Sequence, residues 1–393
     1  MTSGKVNLCK SLCRLITLPS DTYLRNGVSI HIFIDDMQRN FILTDVMKTG
    51  DHLSYERFID YNTMEGQKFD YTGEYYTLHG FDLDSYDRRF AFIDSQIHND
   101  RMIGNQAYKD DLARRLELLH QQGFVFIKAC PWESQENIDT NTFLAGKPMP
   151  EVDIPYPYMT WTGGVSWFWY YMYDKHHANS LKFTHRHKTH DFLYLNKGAR
   201  AHRVKLYDKL LSTGVLDNSI HTFIERVPPR RLDKKYELPG IDPADYPRWG
   251  KDQDIYEPPY NDTACSLVSE TNDSNNEVFM TEKIWKPIMA QHPFVVHGNH
   301  LYLQKLKEIG FKTFGSYFDE TYDLEQDQDK RIDKIVNLCK DLLSINWQDL
   351  YLQTQSLRQH NYNTLFDKDK MSKEINKTLD LFLEFADSSQ VPS

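Results

Sequence analysis

Residues 277–298 read EVFMTEKIWKPIMAQHPFVVHG. Their pattern is a short helix, TEKIWKPIMAQ, that runs straight into an apolar strand, PFVVHG. Thr281 is suited to the N-cap, and Glu282 falls in the first turn, where the helix dipole favours a carboxylate. Lys283 is the odd residue there. A cation in the first turn is mildly unfavourable unless an anion binds nearby, and helix N-termini are ready-made anion sites.

The same helix-into-strand pattern recurs upstream. AYKDDLARRLELLHQQ places Leu112, Leu116, Leu118 and Leu119 on a helical face and stops at Gly123, and GFVFIKA (123–129) follows as a buried strand. That is the αβ half of a doubly wound sheet. VSIHIFI (28–34) and RFAFIDS (89–95) read as further strands. A second series begins with the strand HDFLYLN (190–196), the basic turn KGARAHR and the helix RVKLYDKLLSTG (203–214). The strands SIHTFIE (219–225) and ACSLVSE (264–270) follow, with a Pro-rich loop over 228–260 between them. LYLQKLKEIG (301–310) is a short helix, and KTFG (312–315) is a candidate strand. RIDKIVNLCKDLLSI (331–345) is amphipathic, with Ile332, Ile335, Val336, Cys339, Leu342 and Leu343 on one face. The tail from 346 to 386 is helical in pattern. The expected architecture is α/β, with two Rossmann-like domains and a helical C-terminus. Its bounds are 1–185, 186–345 and 346–393. The polar stretch 48–88 gives no assignment. The aromatic stretch 148–183 leaves linker, loop and core open, and packing is favoured over sugar stacking for its run WFWYYMY.

Composition narrows the function. The 393 residues are 40% hydrophobic and 26% charged, as in a globular protein, and the net charge of −10 argues against a broad phosphate-backbone footprint, so nucleic acid is not the expected partner. Five scattered cysteines form no disulfide or zinc pattern. The first residues are too polar for a secretory segment, and no stretch approaches the ~18 apolar residues of a membrane span, so a cytoplasmic protein is expected. The sequons at Asn261, Asn272 and Asn376 then carry no glycan. HRHKTH (185–190), with His176, His177 and His202 around it, has no common zinc spacing and reads as phosphate contacts or surface; no metal is expected.

Three polar clusters follow apolar strands, where open α/β sheets bind ligands. Glu133 follows GFVFIKACPW. Asn196, Arg200 and Arg203 follow HDFLYL. Glu270 ends the strand at 264–270, and Thr281, Glu282 and Lys283 follow it. At these residues the chain resembles the α1,3-fucosyltransferases. Thr281-Glu282-Lys283-Ile284, a helix and the PFVV strand look like that family's donor motif, with Glu270 at the preceding strand end and Arg203 as the arginine of the upstream helix. PWES is similar to the family's Glu-Ser-Pro, with Gln135 in place of the proline; Thr271 replaces the asparagine expected after Glu270. The resemblance spans 190–300, and more weakly 124–135. It implies a GT-B enzyme whose two domains face a cleft and which transfers a fucose-like sugar from a nucleotide diphosphate, GDP favoured, to a glycan hydroxyl with inversion. The absence of an anchor fits a bacterial or viral transferase.

Arg203, Lys283 and the helix N–H groups would stabilise the leaving diphosphate without a metal or other cofactor, and Glu282 would accept from ribose hydroxyls. Glu133 is the expected base, with Asp35 and Asp36 as rivals. Two alternatives stay open: a phage-type enzyme that glycosylates modified DNA bases, and a non-catalytic nucleotide- or glycan-binding protein.

Overall fold

The computed structural model describes residues 24–25, 28–34, 40–45, 88–94, 106–129, 154–161, 164–178, 182–184, 188–224, 228–231, 254–273 and 278–388. The protein is mixed α/β with two largely parallel sheets, and it divides into two compact units, Met1–Gly163 with Ile375–Ser393, and Gly164–Glu374.

The first unit holds β1 (Leu24–Arg25), β2 (Val28–Ile34), β3 (Asn40–Asp45), β4 (Arg88–Asp94), α1 (Gln106–Gln121), β5 (Val125–Ala129) and β6 (Tyr158–Trp161). These strands form one sheet in chain order. The pairs β1–β2 and β2–β3 are antiparallel, and β3–β4, β4–β5 and β5–β6 are parallel. This differs from the expected doubly wound order. A doubly wound sheet reverses direction at a switch point, and the described strands of this unit show no reversal. The αβ passage itself is as expected: Leu116 and Leu119 of α1 are buried, and Gly123 adopts a φ of 74°, a left-handed stop that favours glycine.

The second unit opens with α2 (Gly164–His176). Sequence reading left this stretch undecided, because aromatic residues all round a helix give no 3.6-residue alternation. Phe168, Trp169, Tyr170 and Met172 are buried, and Trp169 stacks on Trp285 at 5.7 Å and meets Phe311 edge-on at 5.1 Å. These four residues of the aromatic run are core.

Four parallel strands follow: β7 (His190–Asn196), β8 (Ile220–Phe223), β9 (Thr263–Ser269) and β10 (Phe294–His297). Their order is β10-β9-β7-β8. Counted from the β8 edge in chain order this is 2-1-3-4, a doubly wound arrangement whose direction reverses between β7 and β9. Every residue of β9 is buried, as a central strand covered on both faces requires.

The helices of this unit are α3 (Ala201–Ser212), α4 (Glu257–Asp262), α5 (Glu282–Met289), α6 (Tyr302–Glu308), α7 (Gln328–Leu342), α8 (Trp347–Gln353) and α9 (Gln355–Leu365), with a 3-10 turn at Thr321–Leu324. α10 (Lys368–Ser388) runs from this unit into the first. Three sequence expectations are corrected. α3 begins two residues before Arg203, so the supposed basic turn contains its first turn. α4 begins within the last residues of the expected loop and runs two residues past it, started by prolines in its first turn, where no donor is missed. KTFG is no strand: Asn361 bonds both backbone groups of Lys312, and Glu320 accepts from Phe314 N and Thr313 Oγ1, so side chains take the place of strand partners. α7 buries Ile332, Ile335, Val336, Cys339 and Leu342 as expected, but Leu343, at its C-cap, is exposed. No described helix is long and apolar enough to cross a membrane.

Candidate functional site

Strand order reverses between β7 and β9, and sheets of this kind bind ligands outside the carboxyl ends of the strands at that point. Two segments meet there. One leaves β7 at Asn196 and starts α3; the other leaves β9 at Glu270 and leads to α5.

Arg200 occupies the N-cap position of α3, which has no side-chain cap and no acidic residue in its first turn. Arg200 Nη1 donates to the Thr271 carbonyl at 3.0 Å. Arg203, within the first turn and buried, donates from Nε and Nη2 to the Glu270 carbonyl at 3.1 and 2.8 Å. His202 Nε2 approaches the same oxygen at 3.1 Å. Arg203 is therefore a clamp between α3 and the end of β9, with a fork geometry that a lysine lacks.

Glu270 is wholly buried. Its Oε1 accepts from Tyr302 Oη at 2.7 Å and Thr281 N at 3.2 Å, and its Oε2 accepts from Thr281 Oγ1 at 2.6 Å and Thr271 N at 3.3 Å. Burial raises this carboxyl against the pull of Lys283, Thr281 and Tyr302. The four contacts are all donors, so the acceptor that fits them is the carboxylate. Tyr302 reaches it because residue 298 is glycine: a Cβ there would stand 2.7 Å from the tyrosine ring. The side chain of Glu270 thus ties β9, α5 and α6 together, which leaves it a positioning task.

Thr281 is the N-cap of α5, its Oγ1 accepting from Lys283 N at 3.4 Å. The same oxygen accepts from Lys283 Nζ at 3.1 Å while its hydrogen goes to Glu270, so a polarised chain runs from Lys283 through Thr281 to Glu270. Lys283 Nζ also bonds Glu282 Oε1 at 2.7 Å and Thr271 Oγ1 at 3.4 Å. Burial alone would raise the Glu282 carboxyl, but Lys283 and Lys286 outweigh it and hold it below the usual range. Arg200 and Lys283, from two helix starts, thus converge on Thr271.

Asn196 ends β7 and is buried; its backbone bonds Thr222 while its side-chain amide has no hydrogen-bond partner among the described residues. Glu133, Asp35 and Asp36 lie outside the described residues. So do His185 and His187. His202 is half-buried against the Glu270 carbonyl and Asp273, and His176 is buried in α2. Sequence reading missed Tyr302, Asp273 and His297, which surround the same strand ends. Counting the register would have found His297, since it pairs with Ser269 beside Glu270.

Among the described residues, no group of three or more His, Cys, Asp and Glu side chains is arranged to hold a metal ion. Compared with known proteins, the chain matches no family model and no curated sequence.

Proposed function

We propose that the chain is a GT-B glycosyltransferase and that the β7/β9 crevice of its second unit holds the diphosphate of a nucleotide sugar. The observation that carries this reading is the convergence of Arg200 and Lys283 on Thr271 at the switch point, between two helix N-termini. An uncapped helix start with arginines in and beside its first turn favours an anion, and charge-assisted bonds from Arg and Lys suit a departing diphosphate. In the transfer, the acceptor oxygen bonds to the anomeric carbon as that carbon's bond to the diphosphate oxygen breaks. The diphosphate takes the electron pair, which the cations stabilise, and a base takes the acceptor's proton.

In this reading Glu282 accepts hydrogen bonds from the donor's ribose hydroxyls, and Glu133, which follows β5 in the sequence, is the proposed base. The resemblance to α1,3-fucosyltransferases favours a GDP-sugar donor, fucose-like, and a glycan acceptor. The chain-ordered sheet of the first unit departs from the usual GT-B pattern, so the reading rests on the second unit.

The test is calorimetry with GDP, UDP, TDP and CMP. One nucleoside diphosphate should bind, and Arg200→Ala and Lys283→Ala should each weaken it by about 1.5–3 kcal/mol, the scale of a hydrogen bond to a charged group. Unchanged affinity in both variants would remove the diphosphate from this crevice.

A further inference from the structure

The strand register assembles a buried polar row at the carboxyl edge of the second sheet. Ser269 pairs with His297, and extending the β7–β9 register from Leu193 opposite Ser266 brings Asn196 level with Ser269. Tyr194, two residues earlier in β7, shares the face of Asn196. All four residues are more than nine-tenths buried. Tyr194 Oη, both amide atoms of Asn196, Ser269 Oγ and both His297 nitrogens have no well-formed hydrogen bond among the described residues, although Tyr194 lies close enough to Ser269 and Asn196 to feel their dipoles.

Two further groups reach this row. Asp273, in the segment after β9, brings Oδ1 within 3.5 Å of His202 Nδ1 and Oδ2 within 3.8 Å of His297 Nε2. The two imidazole rings lie 5.4 Å apart. Both separations exceed a finished hydrogen bond.

The protonation pattern follows from one contact. His202 Nε2 meets the Glu270 carbonyl, which only accepts, so Nε2 carries the hydrogen. A neutral His202 then presents a bare lone pair at Nδ1, pointed at a carboxyl oxygen. An ionised Asp273 would set acceptor against acceptor in a buried place, and a proton between them removes the conflict.

The surrounding charges agree. Burial pushes the Asp273 carboxyl up, with Asp329 of α7 adding to it and Arg331 and Arg203 opposing. Burial, Arg203 and Arg200 push His202 down to about 3, against its bond to Glu270. Burial, His202, Arg331 and Arg203 hold His297 well below the ordinary imidazole range. A proton bound by this cluster therefore rests on the carboxyl and not on either imidazole.

We propose that Asp273, with His202 and His297, is a buried proton-binding site, and that a diphosphate on the neighbouring cations draws a proton onto it. The coupling rests on the nucleotide reading above; the proton site itself does not. Arg200 and Arg203 now repel a proton from this cluster, and an anion that pairs with them cancels the repulsion. By linkage, proton binding must strengthen diphosphate binding equally.

Two measurements on the full chain test this. The first uses ¹⁵N-histidine NMR without ligand, with His202 assigned by its loss in His202→Gln. His202 should stay a neutral Nε2–H tautomer from pH 5 to 8. Asp273→Asn, whose amide can donate to Nδ1 as a protonated carboxyl does, should keep that tautomer and the wild-type melting temperature. Ordinary titration of His202 near pH 6.5, an Nδ1–H tautomer, or a melting temperature lowered by Asp273→Asn would overturn the site. The second is calorimetry with GDP, UDP and inorganic pyrophosphate at pH 6.5, 7.5 and 8.5, in two buffers of different ionisation enthalpy. Proton uptake beyond that of the probe's own phosphate should fall by half or more in Asp273→Asn. Equal uptake in that variant would overturn the coupling. Binding by none of the three probes would sink the nucleotide reading and the coupling with it, and the NMR result would then decide the proton site alone.

Discussion

Replacing Glu270 by glutamine tests the buried core of the site more sharply than any change to its cations. The carboxylate receives four donors, two on each oxygen. Glutamine keeps the shape but turns one oxygen into a donor, so two of the four bonds are lost and two donors oppose the new amide. Bonds to a charged acceptor contribute ~1.5–3 kcal/mol each, and the relief of burying a neutral group offsets part of the loss. The expected cost is about 2–4 kcal/mol. For a unit of roughly 200 residues, a kcal/mol moves Tm by about 2–4 °C, so Tm should fall by about 5–15 °C. Tyr302→Phe removes only one donor and should cost about 1–2 kcal/mol. Because the two residues touch, the double variant should lose less than the sum of the single losses. Urea unfolding followed by circular dichroism reads all three. A Glu270→Gln protein within about 1 kcal/mol of wild type, or no worse than Tyr302→Phe, would refute the clamp and return Glu270 to the list of ligand-facing groups.

Arg203→Lys should lower stability while keeping the charge, because an ammonium cannot fork onto the Glu270 carbonyl; a melting temperature equal to wild type would show the clamp to be incidental. His297 gives a pH test. Burial holds its folded pKa well below the unfolded value of ~6.5, so the folded state binds fewer protons. The stability this contributes is present in full above about pH 6.5 and is lost as pH falls, by up to ~1.4 kcal/mol per unit, and urea midpoints from pH 5 to 7 should show that slope shrink in His297→Asn. Glu133→Gln should lower kcat by about 10²–10⁴ with donor affinity unchanged, whereas Asp35→Asn and Asp36→Asn cost far less; the reverse pattern would move the base. Transferase activity should survive EDTA, since cationic side chains and helix starts serve the leaving group; loss restored by manganese or magnesium would reject that mechanism.

The second unit was largely legible from sequence because its signals are local. β7, β8, β9 and β10 are short apolar runs, and α5 announces itself by Thr281 and its first-turn carboxylate. What stayed hidden was non-local. The strand order that puts β7 beside β9 is written in no single stretch, so the switch point came only with the fold. α2 was unreadable because a helix buried on several sides has no polar stripe to mark its period. The same limit applied to roles. Glu270 and Arg203 were found as residues, but a carboxylate that faces ligand and one that faces three protein elements look identical in sequence.

That distinction also accounts for the lysine in the first turn of α5. Lys283 opposes the helix dipole, yet it lies against Glu282 and donates to Thr281, whose hydroxyl donates in turn to Glu270. It is the outer end of a chain whose inner end is a fully buried charge, and its own side chain remains about a quarter exposed. Removing it would withdraw a favourable charge from Glu270, which the lysine helps keep ionised. Arg203 works the same way on the other segment, holding the Glu270 carbonyl while Glu270's carboxylate holds α5 and α6. The two helix starts are therefore fixed relative to each other through one residue at the end of β9. An anion arriving between Arg200 and Lys283 would meet groups already in position and would not have to order them, which is what a site that stabilises departing charge requires.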